Sequence, residues 1–223
     1  MPGGEPVFVR TMELEIKRIN KRYGAMEVLT DVSFSLRSGE RIAIAGGNGC
    51  GKSTLLAILA GTLPGSGQFL CDGVDLFTHP RERSRLVGYL PQTPPLFEEL
   101  TARDHLRLYF GAKGMRRALD GGVASLLGVD AFLRTPVRKM SGGMKKRLAV
   151  ACAVAHQPRI LLLDEAGAAL DPACRQSIYD YLDSFCADGG AVISITHDTE
   201  ELTNADRGYF LRDGVLIPAE AHK

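Results

Sequence analysis

The sequence predicts an α/β fold with a mostly parallel sheet, an antiparallel β subdomain at the N-terminal end and a helical subdomain inserted in the middle. Three observations carry this. Short, nearly continuous apolar runs at 41–45, 160–163 and 192–196 follow helix-like or turn segments, as strands buried on both faces of a parallel sheet do. Apolar and polar residues alternate over 12–19 and again at Val32, Phe34 and Leu36, the two-residue period of a half-buried antiparallel pair. From Gln92 to Ala155 the patterning is mostly helical, with breaks at Gly111, Gly114, Gly121, Gly122 and Pro136.

In chain order, the alternating pair ends at a Ser38-Gly39 turn, and the first buried strand, 41–45, runs through a glycine-rich loop into a helix over 52–60. The helical subdomain, 92–155, then separates this unit from the strand at 160–163. A third buried strand at 192–196 precedes a hairpin over 208–217 around Asp213-Gly214. This describes one domain over 10–218, with its core at 10–91 and 156–218 and no internal repeat.

Composition excludes several classes. Apolar residues make up 45% of the 223, charged residues 24%, and the formal net charge is +1, so no strong electrostatic partner is implied and nucleic acid is not expected. The run Lys145, Lys146, Arg147 reads as a solvated helix face. The longest apolar run, 148–155, is far short of the roughly 18 residues of a spanning helix, and the N-terminus has no signal-peptide core, so a cytosolic location is expected. Five cysteines without CxxC or Cys/His spacing read as reduced thiols rather than a disulfide frame or a metal site.

Gly46, Gly47, Asn48, Gly49, Cys50, Gly51, Lys52 and Ser53 satisfy the GxxxxGK[ST] pattern between a buried strand and a helix. Glycines let successive N–H groups turn inward, forming a nest for phosphate oxygens at a helix N-terminus. Lys52 would reach the β- and γ-phosphates, and Ser53 would ligate Mg²⁺. The loop by itself says only nucleotide phosphate, which leaves kinases, GTPases and motor ATPases open.

Asp164 and Glu165 follow the apolar run 160–163, at the strand end where α/β sheets bind ligands. Asp164 is assigned to Mg²⁺ through a water, and Glu165 to polarising the attacking water as general base. The bland alternative is a pair of acids that end a strand and cap the next helix. His197, after the strand ending at Thr196, either reaches the γ-phosphate and the catalytic water or serves the next helix start, where Asp198 and Glu201 have capping-box spacing.

Met140, Ser141, Gly142, Gly143 and Met144, followed by the basic run, resemble the signature loop of ABC ATPases, usually written LSGGQ. Alone, Ser-Gly-Gly reads as a helix cap; physically it is also a phosphate-seeking device at the N-terminus of an apolar helix. The resemblance covers about 14–217 and implies a P-loop NTPase (RecA-like) core that binds and hydrolyses ATP with Mg²⁺. By this resemblance Tyr23 stacks on adenine and the nucleotide-binding stretch runs on to Thr54. Gln92 touches Mg²⁺ and couples the core to the helical subdomain, Asp171 closes a D-loop, and His197 is the switch histidine.

The resemblance further implies a head-to-tail dimer, of identical or related subunits, in which Ser141, Gly142 and Gly143 of one subunit close over the ATP on the phosphate loop of the other. Opening and closing of that dimer would drive a separate integral-membrane permease at the cytoplasmic face, contacted near 94–100. The SGGM form is similar to ATPases paired with ABC-2-type export permeases. Residues 166–171 read Ala-Gly-Ala-Ala-Leu-Asp where the family has Pro-Thr-Ser-Gly-Leu-Asp, which removes two hydroxyls from the dimer contact, and Cys50 stands where alanine is common. A nucleotide-dependent assembly switch and a non-transport ABC ATPase are the alternatives.

Overall fold

The structure is a computed structural model describing residues 11–167 and 170–219. Strand β1 (Glu13–Tyr23) pairs antiparallel with β2 (Met26–Arg37), as the alternation predicts. Both strands outrun the predicted limits, because register shifts beyond Ile16 displace the side-chain phase and Arg18 and Asp31 take left-handed φ values of 52° and 51°. Strand β3 (Arg41–Ala45) and helix α1 (Lys52–Ala60) lie where the sequence places them.

Four elements before the helical region are not evident in the sequence. Strands β4 (Ser66–Cys71) and β5 (Val74–Asp75) complete a four-stranded sheet of order β2-β1-β4-β5, and helix α2 (Pro80–Leu86) leads into β6 (Val87–Leu90). Strand β4 opens with Ser-Gly-Gln and has no period-two alternation, and β6 has only four residues.

Residues 92–100 form no helix, contrary to the helical reading from 92. Helix α3 (Ala102–Leu119) starts at a capping box between Thr101 and Asp104 and is interrupted at Gly111, with φ 65° and ψ 175°. Helix α4 (Val123–Leu126) follows the Gly121-Gly122 break, and a short 3-10 turn follows Pro136. Helix α5 (Gly142–Ala153) leads to β7 (Ile160–Asp164), then α6 (Pro172–Ala187), β8 (Ala191–Ile195), α7 (Thr199–Asn204), β9 (Arg207–Arg212) and β10 (Val215–Pro218).

The second sheet has the order β10-β9-β3-β8-β7-β6, parallel throughout except for the β9–β10 hairpin. Strand β7 is buried along its whole length, so its side chains serve two cores in alternation. Ile160 and Leu162 join α1 and the antiparallel sheet, whereas Leu161 and Leu163 join α5, α6 and the helical region. Leu55, Leu56 and Leu59 of α1 are wholly buried, and truncating any of them costs about 2–5 kcal/mol, so the loop before this helix stands on a rigid base. Among the described residues, no helix is long and apolar enough to cross a membrane.

Candidate nucleotide site

Parallel strands deliver their following residues to one edge. Strand β3 opens into residues 46–53, β6 into Pro91 and Gln92, β7 into Glu165, and β8 into Thr196 and His197. Three chain segments far apart in sequence therefore meet. Gln92 Nε2 donates to Glu165 Oε2 at 2.9 Å, and His197 Nε2 lies 2.9 Å from Glu165 Oε1. Glu165 N–H donates to the Ile195 carbonyl at 3.0 Å, and the residue holds a left-handed φ of 55°, a strained backbone for a non-glycine residue. This side-chain clamp, more than any helix cap, is what the acidic pair builds.

The phosphate loop is shaped by glycine. Gly51, the N-cap of α1, has φ 105°, and a Cβ there would stand 2.9 Å from the Val28 carbonyl. Among the described residues no side chain caps α1, so its first-turn N–H groups stay available at the loop. The Lys52 ammonium is buried and donates to the Gly46 and Gly47 carbonyls at 2.8 and 2.9 Å, with the Cys50 thiol at 3.9 Å.

Asp164 faces this loop. It is 2% exposed, and its Oδ1 is buried without a hydrogen-bond partner among the described residues. Burial, reinforced by Glu165, holds its carboxyl above the ordinary range, against the Ser53 hydroxyl and the charges of Lys146 and Lys52. An orphaned carboxylate oxygen beside a serine hydroxyl is a donor set that suits a hard divalent cation, so the residues present fit Mg²⁺.

Other predicted positions lie apart from the clamp. Tyr23 ends β1, 47% exposed, with the Lys21 ammonium 4.9 Å from its ring centroid. Ser141 caps its own helix α5, accepting from Met144 N–H at 3.2 Å. Gly143 packs against α6, where a Cβ would stand 2.8 Å from Cys174 Sγ and 3.6 Å from Asp171 Oδ2. Asp171 caps α6 by accepting from Cys174 N–H at 3.0 Å. Of the atypical segment 166–171, Ala168 and Ala169 lie outside the described residues.

Two expectations are corrected. Asp198 caps α7 through Glu200 N–H, whereas Glu201 is buried and accepts from the Tyr179 hydroxyl, so the spacing forms no capping box. The basic run is no solvated face. Lys145 pairs with Glu98 at 3.1 Å, Arg147 donates to the Leu127 carbonyl at 3.1 Å, and Lys146 is 8% exposed with its ammonium 3.4 Å from the Asp164 carbonyl. Lys146 thus falls with Gly143 and Val150 among the buried residues of α5.

A cleft of about 390 Å³ adjoins the clamp, lined by Glu165, Gly167, Arg175, Thr196, His197 and Asp198 among others. Arg175 pairs with Asp198 at 2.8 Å and thereby ties α6 to the loop carrying His197, a link that no local pattern announces.

A family model described as ABC transporter matches residues 29–168. The spermidine/putrescine import ATP-binding protein PotA of Spiroplasma citri is 35% identical over 96% of this chain and 64% of its own length. The Nod factor export ATP-binding protein I of Ralstonia nicotianae is 34% identical over 90% of this chain and 63% of its own length. The chain thus spans somewhat under two thirds of these curated relatives. Among solved structures, a dimeric post-hydrolysis state of an ATP-binding cassette bound to ADP and Pi superposes with a TM-score of 0.81 at 26% identity, covering 94% of this chain and 99% of that one. With its phosphate loop, its Glu165 clamp and its six-stranded sheet, the chain belongs to the ABC transporter family and carries that family's ATP-binding domain.

Proposed function

We propose that this chain binds and hydrolyses ATP as a head-to-tail dimer and energises a separate membrane permease from the cytoplasmic face. The observation that carries the reading is the clamp: Glu165, at the carboxyl end of β7, has one oxygen held by Gln92 and the other by His197. Residues 46–54 receive the phosphates, Lys52 meeting the β- and γ-phosphates once it exchanges the Gly46 and Gly47 carbonyls for them. Ser53, Gln92 and Asp164 would hold Mg²⁺, which would supply neutralisation of phosphate charge. Glu165 accepts a proton as the water oxygen attacks the γ-phosphorus and the bond to the bridging oxygen breaks, leaving ADP and phosphate. His197 keeps the carboxylate aimed at that water.

Tyr23, exposed at a strand end, offers the adenine a stacking face. Ser141, Gly142 and Gly143 of one protomer close over the nucleotide of the other. The domain spans 10–218, with a helical subdomain at 92–155 whose segment 94–100 meets the permease; Phe97, 57% exposed, supports that placement. Importers and exporters match at similar identity, which supports a shared engine whose cargo the permease selects.

Replacing Glu165 with Gln keeps the shape of the side chain and removes the base. Turnover falls on the order of 100- to 10,000-fold while ATP affinity is kept and a dimer accumulates in analytical ultracentrifugation. Normal hydrolysis by E165Q, or undiminished hydrolysis by a strictly monomeric form, would falsify the reading. The segment 166–171, without hydroxyls at 167 and 168, favours one second reading, an ATP-dependent assembly switch. Its mark is wild-type protein that dimerises on ATP with turnover near zero.

A further inference from the structure

Helix α5, capped by Ser141, carries three adjacent cations that leave it in three directions. Lys145 leaves toward Glu98, and Arg147 toward the Leu127 carbonyl and the Phe132 ring, whose centroid is 5.2 Å from the guanidinium carbon. Lys146, 8% exposed, ends at the terminus of β7, 3.4 Å from the Asp164 carbonyl. Among the described residues it forms no ion pair within 4.0 Å. An ammonium has three donors, and burying one with a single long hydrogen bond is costly, so packing alone does not account for a lysine here; an apolar side chain of similar length would fill the space at less cost. What the lysine adds is a donor and a charge at the point where the chain turns from Asp164 into the left-handed backbone of Glu165.

That point has few other restraints. Glu165 is held by its N–H on Ile195 and by its carboxylate between Gln92 and His197, all from neighbouring strands or the loops that follow them. Lys146 supplies a contact from the Ser141 helix.

We infer that Lys146 is a positioning residue that ties the Ser141 helix to the Asp164–Glu165 turn and so keeps the Glu165 carboxylate aligned. The inference rests on the proposed ATP hydrolysis for its kinetic consequence, but its structural consequence is independent of it. Because Ser141 and Lys146 share one helix, a displacement of the Ser141 loop is transmitted to the base through the Lys146 ammonium.

The test uses the full chain with Lys146→Met, which keeps the stem and removes the donor, and Lys146→Arg, which keeps a donor. K146M lowers kcat on the order of 10- to 100-fold, the scale of a misplaced reacting group, with KM for ATP and ATP affinity unchanged. Its Tm stays within about 3 °C of wild type or rises, as replacement of a buried charge by an apolar group allows. K146R recovers most of the turnover. Without nucleotide, hydrogen–deuterium exchange at Glu165 speeds up in K146M and is normal in K146R. Unchanged exchange and turnover in K146M overturn the inference, as does a parallel loss of kcat, ATP affinity and Tm, the sign of a merely structural role. Wild-type protein that binds but never cleaves ATP instead overturns the function proposed above, and the exchange measurement still decides on Lys146.

Discussion

Helices α1 and α5 both begin at glycine-rich loops, yet their N-termini are finished differently. Gly51 caps α1 with a left-handed backbone and no side chain, so the first-turn N–H groups stay available. Ser141 caps α5 with its own hydroxyl on Met144 N–H. The aspartates near them differ in the same sense. Asp164, beside α1, has an orphaned oxygen and a carboxyl raised by burial, whereas Asp171, beside α5, is held below the ordinary range by its hydrogen bonds from Cys174. The first end is a receptor with unmet demand; the second is satisfied within its own chain, and in the proposed dimer it would have to exchange its cap for a ligand brought by another protomer.

The largest test of this contrast is Gly51→Ala. A Cβ at φ 105° beside the Val28 carbonyl costs about 1–3 kcal/mol of backbone strain and closes the loop, and ATP affinity drops on the order of 100-fold in nucleotide titration. An alanine variant that binds ATP normally breaks the account of α1 as the open end.

Ser141→Ala comes next. Loss of the cap costs about 1 kcal/mol of stability, and turnover falls about tenfold, while a single protomer binds ATP as before. Should S141A weaken ATP binding by isolated protomers as much as G51A does, the two ends are parts of one site within one chain and the contrast fails.

Thiol labelling sharpens the comparison, since each end carries a cysteine. Burial pushes Cys152 up to about 12 and Cys71 and Cys186 up to about 11, which keeps those thiols protonated and slow at neutral pH. Cys50 in the phosphate loop and Cys174 against Gly143 are partly exposed. Mass spectrometry should find ATP slowing the modification of Cys50 about tenfold even in monomer, but that of Cys174 only when the dimer forms. Equal protection of both in monomer contradicts the scheme.

The smallest expected effect is in stability. Because the folded state raises the Asp164 carboxyl, the native protein binds more protons there than the unfolded chain. Its destabilising contribution is absent below the unfolded value of about 3.9, grows as pH rises through the window up to the raised folded value, and persists at neutral pH. Asp164→Asn removes it, so without Mg²⁺ the melting temperature at pH 7 rises by about 3 °C while Mg²⁺-dependent turnover is lost. A melting temperature that falls instead means the carboxylate is satisfied in the metal-free protein.

Much of the site was legible because it is local. Glycine spacing fixes which backbone turns are allowed, so the loop at 46–53 and the cap at Ser141 follow from residue type, and the all-apolar run before Asp164 marks a strand buried on both faces. The order β4-β1-β2 within the first sheet was not legible, since β4 arrives from beyond α1 with no alternation to announce it. Nor was the inward turn of Lys146, because a cation next to two others matches a solvated helix face until the opposite wall of the core is known.

By itself, then, the sequence determined the chemistry that one short segment can hold: a phosphate nest, an acidic strand end and a capped glycine helix. Only the tertiary structure decided that Gln92, Glu165 and His197 share one carboxylate and that Lys146 reaches the same turn. The reason is separation along the chain. Contacts across 73 residues, as between Gln92 and Glu165, depend on which strands lie side by side, and strand order is settled by burial of the whole sheet rather than by any local pattern.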